Sequence, residues 1–93
     1  MNSFLLPEFM TLYRALPESV RQQARQAYAL FQQDPHHPSL RFRQVHPVRP
    51  IFSARVGLHY RAVGIRQANE ISWFWIGSHA EYDRLLSQLY GTQ

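Results

Sequence analysis

The apolar residues of this chain change their spacing near its middle, at the turn-rich segment DPHHPSL (34–40). Before that segment they recur every three or four positions, which is the spacing of a helix with one buried face. After it they alternate with polar residues, which is the spacing of a strand with one buried face. Because the helical part comes first and the strand-like runs follow one another, the pattern predicts an α+β fold rather than alternating β-α units.

Two helices are expected before the turn. The segment 7–16 has apolar residues at helical spacing, and Pro17 stands at the first position of a second helical segment, 17–33. Asp34 and Pro35 end the second helix, because the residue before a proline disfavours helical geometry. The two helices meet at a short corner and therefore predict a helical hairpin. The apolar stripe of the second helix consists of Val20, Ala24, Ala27, Tyr28 and Phe31.

Four strands and a final helix are expected after the turn. The connections between the strands are too short for a crossover helix, so neighbouring strands should pair antiparallel. The strand 70–77 is apolar on both faces and should lie centrally in the sheet. We therefore predict one domain over residues 1–93, of the α+β class, in which an N-terminal helical hairpin and a C-terminal helix pack on one face of a twisted four-stranded antiparallel sheet. The predicted strands span 40–45, 51–56, 59–65 and 70–77, and the predicted last helix spans 78–90.

The charge of the chain points to an anionic partner. The formal net charge is +4, the calculated pI is about 10.1, and all 10 basic residues are arginines. A guanidinium is always charged, and its planar fork binds phosphate or carboxylate through two hydrogen bonds. A GC-rich genome that favours arginine codons would also explain the absence of lysine, but it would not change the net charge.

The missing residue types exclude several kinds of chemistry. Without lysine there is no Schiff base and no P-loop, and without cysteine there is no thiol nucleophile, cysteine zinc site or disulfide. His36 and His37 have no third ligand at metal spacing, so neither a metal nor another cofactor is expected. No segment reaches the roughly 20 apolar residues of a membrane span. The N-terminus lacks the basic region of a signal peptide, so a cytoplasmic protein is expected.

A histidine stands at the junction of the last strand and the last helix, in the stretch WFWIGSHAEYDRLL (73–86). Ser78 and Glu81 have the spacing of a capping box, which starts the helix at Ser78 and places His79 in its first turn. Free amides and the helix dipole favour an anion such as phosphate there. With Tyr82 one turn further on, His79 could provide acid–base chemistry on a phosphodiester. The alternatives are a first-turn histidine without a function and a tyrosine that belongs to the core.

Several arginines are expected on the sheet face opposite the helices. Alternation puts Arg41 and Arg43 on one face of their strand and turns Arg55 away from the core. Arg61 lies on the same strand face as His59. Together they predict a cationic groove that ends near the start of the last helix and fits a nucleic-acid backbone. The alternative is that these arginines are solvated edge residues without a common partner.

Three stretches taken together resemble a known family. They are ALPESVRQQARQAYALFQQDPHHPSLRFRQV, SARVGLHYRAVG and WFWIGSHAEYDRLL, and the similarity covers residues 8–88. The chain resembles the RelE/ParE superfamily of bacterial type II toxin–antitoxin toxins, whose fold is a helical hairpin on a twisted antiparallel sheet plus a C-terminal helix. RelE-type members are metal-independent endoribonucleases that cut mRNA in the ribosomal A site. The resemblance therefore implies ribosome and mRNA as partners, and a cognate antitoxin that holds the toxin in a hetero-oligomer.

The resemblance also implies roles for individual residues. Arg61, in YRAVG, matches the family's phosphate-stabilising arginine, with Arg55 beside it. His79 stands where the family has an acid–base residue and would protonate the departing 5′-oxygen, while Tyr82 resembles the family's C-terminal tyrosine, which stacks on a base or assists proton transfer. Attack of the 2′-hydroxyl on the adjacent phosphate would leave a 2′,3′-cyclic phosphate and a 5′-hydroxyl. The residues expected to bind RNA are Arg41, Arg43 and His59.

The chain also departs from the family pattern. RelE itself carries lysines where this chain has Ser53 and Arg55, so the general base has to be another group, with Tyr82 the first choice and His59 and Glu81 behind it. ParE-type members share the fold, lack this catalytic set and inhibit DNA gyrase. A non-toxic RNA- or protein-binding domain of the same fold is a third possibility. The catalytic set expected here favours the ribonuclease branch.

Overall fold

The computed structural model describes residues 1–91 as five strands, three α-helices and one 3-10 turn. The helices are α1 (Pro7–Arg14), α2 (Glu18–Gln33) and α3 (His79–Gly91), and the 3-10 turn spans Pro38–Leu40. The strands are β1 (Asn2–Leu5), β2 (Arg43–Gln44), β3 (Ile51–Val56), β4 (Tyr60–Gln67) and β5 (Glu70–Ser78). Within the described part, no helix combines the length and the apolar composition that crossing a membrane requires.

The strands form a single mixed sheet in the order β1-β5-β4-β3-β2. The four predicted strands pair antiparallel, and β5 lies inside the sheet as its two apolar faces indicated. The α+β class is confirmed, but the strand count of four was wrong, because β1 adds a fifth strand parallel to β5. At 4 residues β1 is too short to show an alternating pattern. Its partner also lies near the other end of the chain, so no local signal indicated the pairing.

The helical hairpin packs on one face of the sheet. Phe9, Ala24 and Phe31 from α1 and α2 meet Ala62 and Trp73 from the strands in the larger of two buried clusters. The ring of Phe31 stands edge-on to Trp73, with 5.3 Å between ring centroids. This edge-to-face arrangement adds to the burial of apolar area, and it secures the predicted hairpin on the sheet.

Helix α3 packs on the opposite face, so the expectation that all helices share one sheet face was wrong. Tyr82 of α3 is buried against Ile51 and Val63, and three leucines of α3 complete this second cluster. The reason is that β3, β4 and β5 each carry apolar residues on both faces, which requires a cover on both sides. A cationic groove can therefore form only where α3 leaves the sheet uncovered. The three leucines are Leu85, Leu86 and Leu89.

Two further boundaries differ from the predicted ones. Leu40 belongs to the 3-10 turn, Arg41 follows with a left-handed φ of 46°, and β2 shrinks to 2 residues. Prolines flank this segment, and the Nδ1 atom of His37 accepts the N–H of Ser39, so local bonding favours a turn over a strand. His59 lies in the turn before β4 rather than on the strand. Gly57 opens that turn with a φ of 60°, a conformation that glycine adopts without strain.

Candidate nucleic-acid interface

Cross-strand pairing places three of the predicted arginines on one face of the sheet. Arg55 is directly opposite Arg61, and Arg43 is directly opposite Ser53. Directly paired residues share a face, and so do residues two apart on a strand, so these side chains project from the face that α3 partly covers. Hydrogen bonds to nearby carbonyls orient two of the guanidiniums: Arg55 donates to the Gly57 oxygen at 3.0 Å and Arg61 to the Tyr60 oxygen at 2.8 Å.

The electrostatics of Arg61 reveal a cluster of positive charge. Partial burial lowers the pKa of Arg61 below its usual value, and the neighbouring charges of Arg55, Arg41 and Arg43 lower it further. Arg41, two residues before Arg43 in the chain, adds its positive charge to this region although it lies outside β2. Within residues 1–91 none of these four arginines forms an ion pair with a carboxylate. We call them the arginine cluster; no carboxylate of residues 1–91 pairs with it, and its positive charge suits an anion.

The capping box at the start of α3 is confirmed. The Ser78 N–H donates to the Glu81 carboxylate at 2.9 Å, and the Glu81 N–H donates to the Ser78 hydroxyl at 3.2 Å. These bonds stabilise the ionised carboxylate and lower the pKa of Glu81. The His79 N–H donates to the carbonyl of His59 at 2.8 Å, which ties the first helical turn to the β3–β4 turn. The carboxylate of Glu81, one of the candidate general bases, is thus engaged in the cap.

The His79 side chain is half exposed and makes two contacts. Its Nδ1 atom lies 3.2 Å from the Asp83 carboxylate, and its ring stands edge-on to Tyr82 at a centroid distance of 5.8 Å. A carboxylate accepts, so this pair assigns a hydrogen to Nδ1 and leaves Nε2 for another partner. Asp83 was missed as a site residue. Its position four residues after His79, on the same helix face, was the available signal.

Tyr82 is a buried core residue that also lines the candidate site. It is 5% exposed, and its hydroxyl donates to the hydroxyl of Ser53 at 3.1 Å. Its ring packs among apolar residues between α3 and the sheet. The phenol is therefore held beneath the surface by a hydrogen bond to the strand that also carries Arg55.

An open groove of about 700 Å³ runs between α3 and the segment that joins β2 to β3. It brings together the predicted residues Arg43, His79 and Tyr82. Arg61 pairs with Gly77 on β5, one residue before the cap of α3, so the arginine cluster adjoins the start of that helix. The side chain of His59 is exposed and does not line the groove.

The groove also contains two residues that the sequence patterns did not single out, His46 and Tyr90. The Tyr90 hydroxyl donates to the carbonyl of Val45, and the Tyr90 ring lies 5.3 Å from that of His46. Neither residue stands in a recognisable motif, and only the folded chain brings Tyr90 into contact with Val45, which is 45 positions away. Within residues 1–91, no group of three or more histidines, cysteines or carboxylates is arranged to hold a metal ion.

A protein-family model matches most of this chain. The model of the ParE-like toxin domain matches residues 18–91, which include α2, the four antiparallel strands and α3. Among curated protein sequences, none matches this chain significantly.

Several solved structures with the same fold are toxins or antitoxin-toxin complexes. The RelB-RelE antitoxin-toxin complex from Methanococcus jannaschii has a TM-score of 0.69 at 14% identity, with 87% of this chain and 96% of that chain covered. The isolated E. coli RelE toxin has a TM-score of 0.60 at 14% identity, with 95% and 97% covered. The intact E. coli RelBE toxin-antitoxin complex has a TM-score of 0.62 at 12% identity, with 83% and 94% covered. At such identities the similarity establishes the fold.

Proposed function

The chain belongs to the family of ParE-like toxin domains, within the RelE/ParE superfamily, and from this premise we propose that it is a ribosome-dependent mRNA endonuclease of a type II toxin–antitoxin module. One observation carries the proposal. His79, oriented by Asp83, opens onto a groove beside the arginine cluster, whose charges no carboxylate within residues 1–91 neutralises. A binding function would need the charge, but it would not need an oriented imidazole.

The proposed reaction is an internal transesterification that needs no metal and no cofactor. The ribose 2′-oxygen bonds to the adjacent phosphorus and the bond from phosphorus to the 5′-oxygen breaks, which leaves a 2′,3′-cyclic phosphate and a 5′-hydroxyl. Arg61, with Arg55 opposite it, stabilises the negative charge that builds up on the phosphorane oxygens. This electrostatic stabilisation provides the larger share of the rate enhancement.

Proton transfer is assigned to His79. His79 donates a proton from Nε2 to the departing 5′-oxygen, while the carboxylate at Nδ1 orients the ring. The 2′-hydroxyl loses its proton to water in the open groove. Tyr82, the first choice as base from the sequence, is instead proposed to position His79, since its phenol is occupied by Ser53 and its ring supports the imidazole. Arg41 and Arg43 bind the RNA backbone, and the exposed His59 contacts the strand outside the groove.

The proposed partners follow from the charge of the site and from the related structures. The antitoxin-toxin complexes of related fold suggest a cognate antitoxin for this chain, in a hetero-oligomer. An acidic extended segment would complement the arginine cluster and exclude RNA from it. The proposed target is mRNA on the ribosome, which places the action of the protein in the cytoplasm.

The proposed function is tested by inducing the protein in a bacterium that lacks the antitoxin. We expect methionine incorporation to collapse before thymidine incorporation, and we expect His79→Ala or Arg61→Ala to abolish the arrest because each removes a group that contacts the reacting phosphate. Thermal unfolding of the purified variants provides the control for folding. A well-folded double variant that still arrests growth would contradict the catalytic assignment.

A second function is supported by the family match itself, since the matching model describes ParE-like toxins. We propose DNA gyrase inhibition as the alternative, a binding function that does not depend on His79. In the same experiment it predicts that thymidine incorporation collapses first and that His79→Ala keeps its toxicity. Tolerated strong expression would favour a non-toxic binding domain over both.

A further inference from the structure

His46 is a buried histidine in the loop between β2 and β3, and it lines the groove although only 4% of it is exposed. Its Nδ1 atom accepts two backbone hydrogen bonds, from the N–H of Val48 at 3.1 Å and from the N–H of Arg49 at 2.9 Å. Both of these groups can only donate, so Nδ1 presents its lone pair and the hydrogen of the ring is on Nε2. The loop therefore selects one tautomer.

The Nε2–H of His46 is a donor without an acceptor. Among residues 1–91 it has no hydrogen-bond partner, although less than 1 Å² of the atom is accessible. Buried donors in folded proteins are nearly always paired, so an unpaired one needs a reason. Loose packing is not the reason, because the loop is braced: the Gln44 amide donates to the carbonyls of His46 at 3.0 Å and Arg49 at 2.8 Å.

The Tyr90 side chain packs beside the His46 ring. The Tyr90 ring is 5.3 Å from the imidazole, and Tyr90 is itself 42% exposed, in the last turns of α3. Its hydroxyl donates to the carbonyl of Val45, at the edge of the same loop. The braced loop thus holds a fixed donor beside the partly exposed Tyr90 side chain, which is its candidate cover.

We propose that His46 is an RNA-binding residue of this groove, and that its Nε2–H donates to a non-bridging phosphate oxygen once the Tyr90 side chain leaves Val45. The assignment to phosphate rests on Arg43, which lines the groove together with His46 and belongs to the arginine cluster. Within residues 1–91, the one carboxylate of the lining, Asp83, is paired with His79. The arginines supply the electrostatic attraction to the phosphate. The neutral donor of His46 adds no charge, but its hydrogen bond fixes where the phosphate oxygen binds. This inference rests on the proposed RNA-binding function and deepens it.

The variant His46→Asn separates the two roles of the imidazole. An asparagine Oδ1 takes the place of Nδ1 and accepts the N–H groups two and three residues on, as in an Asx turn, but no group replaces Nε2. We expect the affinity for a 2′-O-methyl oligonucleotide, which cannot be cleaved, to fall about tenfold in an NMR titration, as for a lost hydrogen bond to a charged oxygen. The unfolding temperature should stay within about 2 °C. His36→Asn, an exposed histidine outside the groove, is the matched control and should leave both values unchanged.

Salt dependence and base identity distinguish a phosphate contact from a contact to a base. His46→Asn should keep the salt dependence of binding, whereas Arg43→Ala should reduce the slope of log affinity against log salt by about 0.7. The loss in His46→Asn should be equal for oligo-uridine and oligo-adenosine. A loss confined to one base would identify a base contact and overturn the phosphate assignment.

Tyr90→Phe tests the cover. This variant keeps the ring but removes the bond to Val45, so we expect it to bind RNA about twofold to threefold more tightly than the wild type does. In the His46→Asn background the same change should have no effect, because there is no donor to uncover. Equal affinities of the wild type and His46→Asn, or an absence of oligonucleotide binding in both, would overturn the inference. Cleavage of mRNA on the ribosome tests the proposed function separately, so the two failures can be distinguished.

Discussion

Arg41 leaves the 3-10 turn with a φ of 46°, a left-handed conformation that costs a residue with a Cβ about 1 kcal/mol. An arginine at this position therefore destabilises the folded state by that amount, and its charge adds to the positive potential around Arg61. Strain of this kind persists where the surrounding structure enforces it, often at functional sites. A substitution of Arg41 should therefore affect the stability of the protein and its binding of RNA in clearly different ways.

We expect Arg41→Gly to keep or raise the free energy of unfolding while RNA binding weakens. Glycine relieves up to about 1 kcal/mol of backbone strain, offset in part by its greater freedom in the unfolded chain. The lost cation should lower the salt slope of binding by about 0.7. Urea unfolding and titrations at several salt concentrations measure the two effects. Arg41→Ala, which keeps the strain and loses the charge, is the matched control; if it proves more stable than Arg41→Gly, strain at this position is excluded.

Helix α3 is the element on which the site depends, because it carries His79, Asp83 and Tyr90 and closes the second buried cluster. Its start was predictable from Ser78 and Glu81, since a capping box is a local pattern. The sheet face that α3 covers was not predictable from residues 78–90, because no local pattern in them indicates it. The relevant signal was the presence of apolar residues on both faces of β3, β4 and β5.

The bond between Tyr82 and Ser53 gives α3 a specific prediction. Tyr82→Phe should lower the free energy of unfolding by about 1 kcal/mol, because it leaves the buried Ser53 hydroxyl without its donor. Cleavage of ribosome-bound mRNA should change by less than about tenfold, since a positioning ring remains. A loss of roughly 100-fold or more, the size of a general acid–base contribution, would restore Tyr82 as the general base. Chemical unfolding and cleavage assays on the same preparation supply both numbers.

At the scale of the whole molecule, β1 connects the start of the chain to β5. It joins β5 as a parallel edge strand, and the Ser3 hydroxyl accepts hydrogen bonds at 3.0 Å from the indole of Trp73 and from the hydroxyl of Tyr28. One small side chain thus connects β1, α2 and β5. This junction lies against the hairpin face of the sheet, away from the groove.

Ser3→Ala should therefore reduce stability and leave the site unchanged. Two partly buried donors lose their acceptor, which should lower the free energy of unfolding by about 2 kcal/mol. Tyr28→Phe removes one donor and should cost about half as much. Denaturant unfolding with RNA titration in parallel provides the measurement. Altered RNA affinity in Ser3→Ala would show that the two faces of the sheet are coupled, contrary to this expectation.

The sequence by itself determined the α+β class, the helical hairpin, the antiparallel pairing and the capping box. These depend on periodicity, chain connection length and bonds between residues close in sequence, which the chain carries locally. The family resemblance also rested on the sequence, and the match over residues 18–91 confirms it.

Only the tertiary structure decided the parallel strand β1, the face that α3 covers, and the meeting of His46 with Tyr90 and of Tyr82 with Ser53. Each of these joins residues far apart in the chain, and no local pattern encodes its partner. The arginines show both sides of this division. Alternation predicted that several of them share a face, but the turn at Arg41 and the position of α3 decide how much of that face stays open to a ligand.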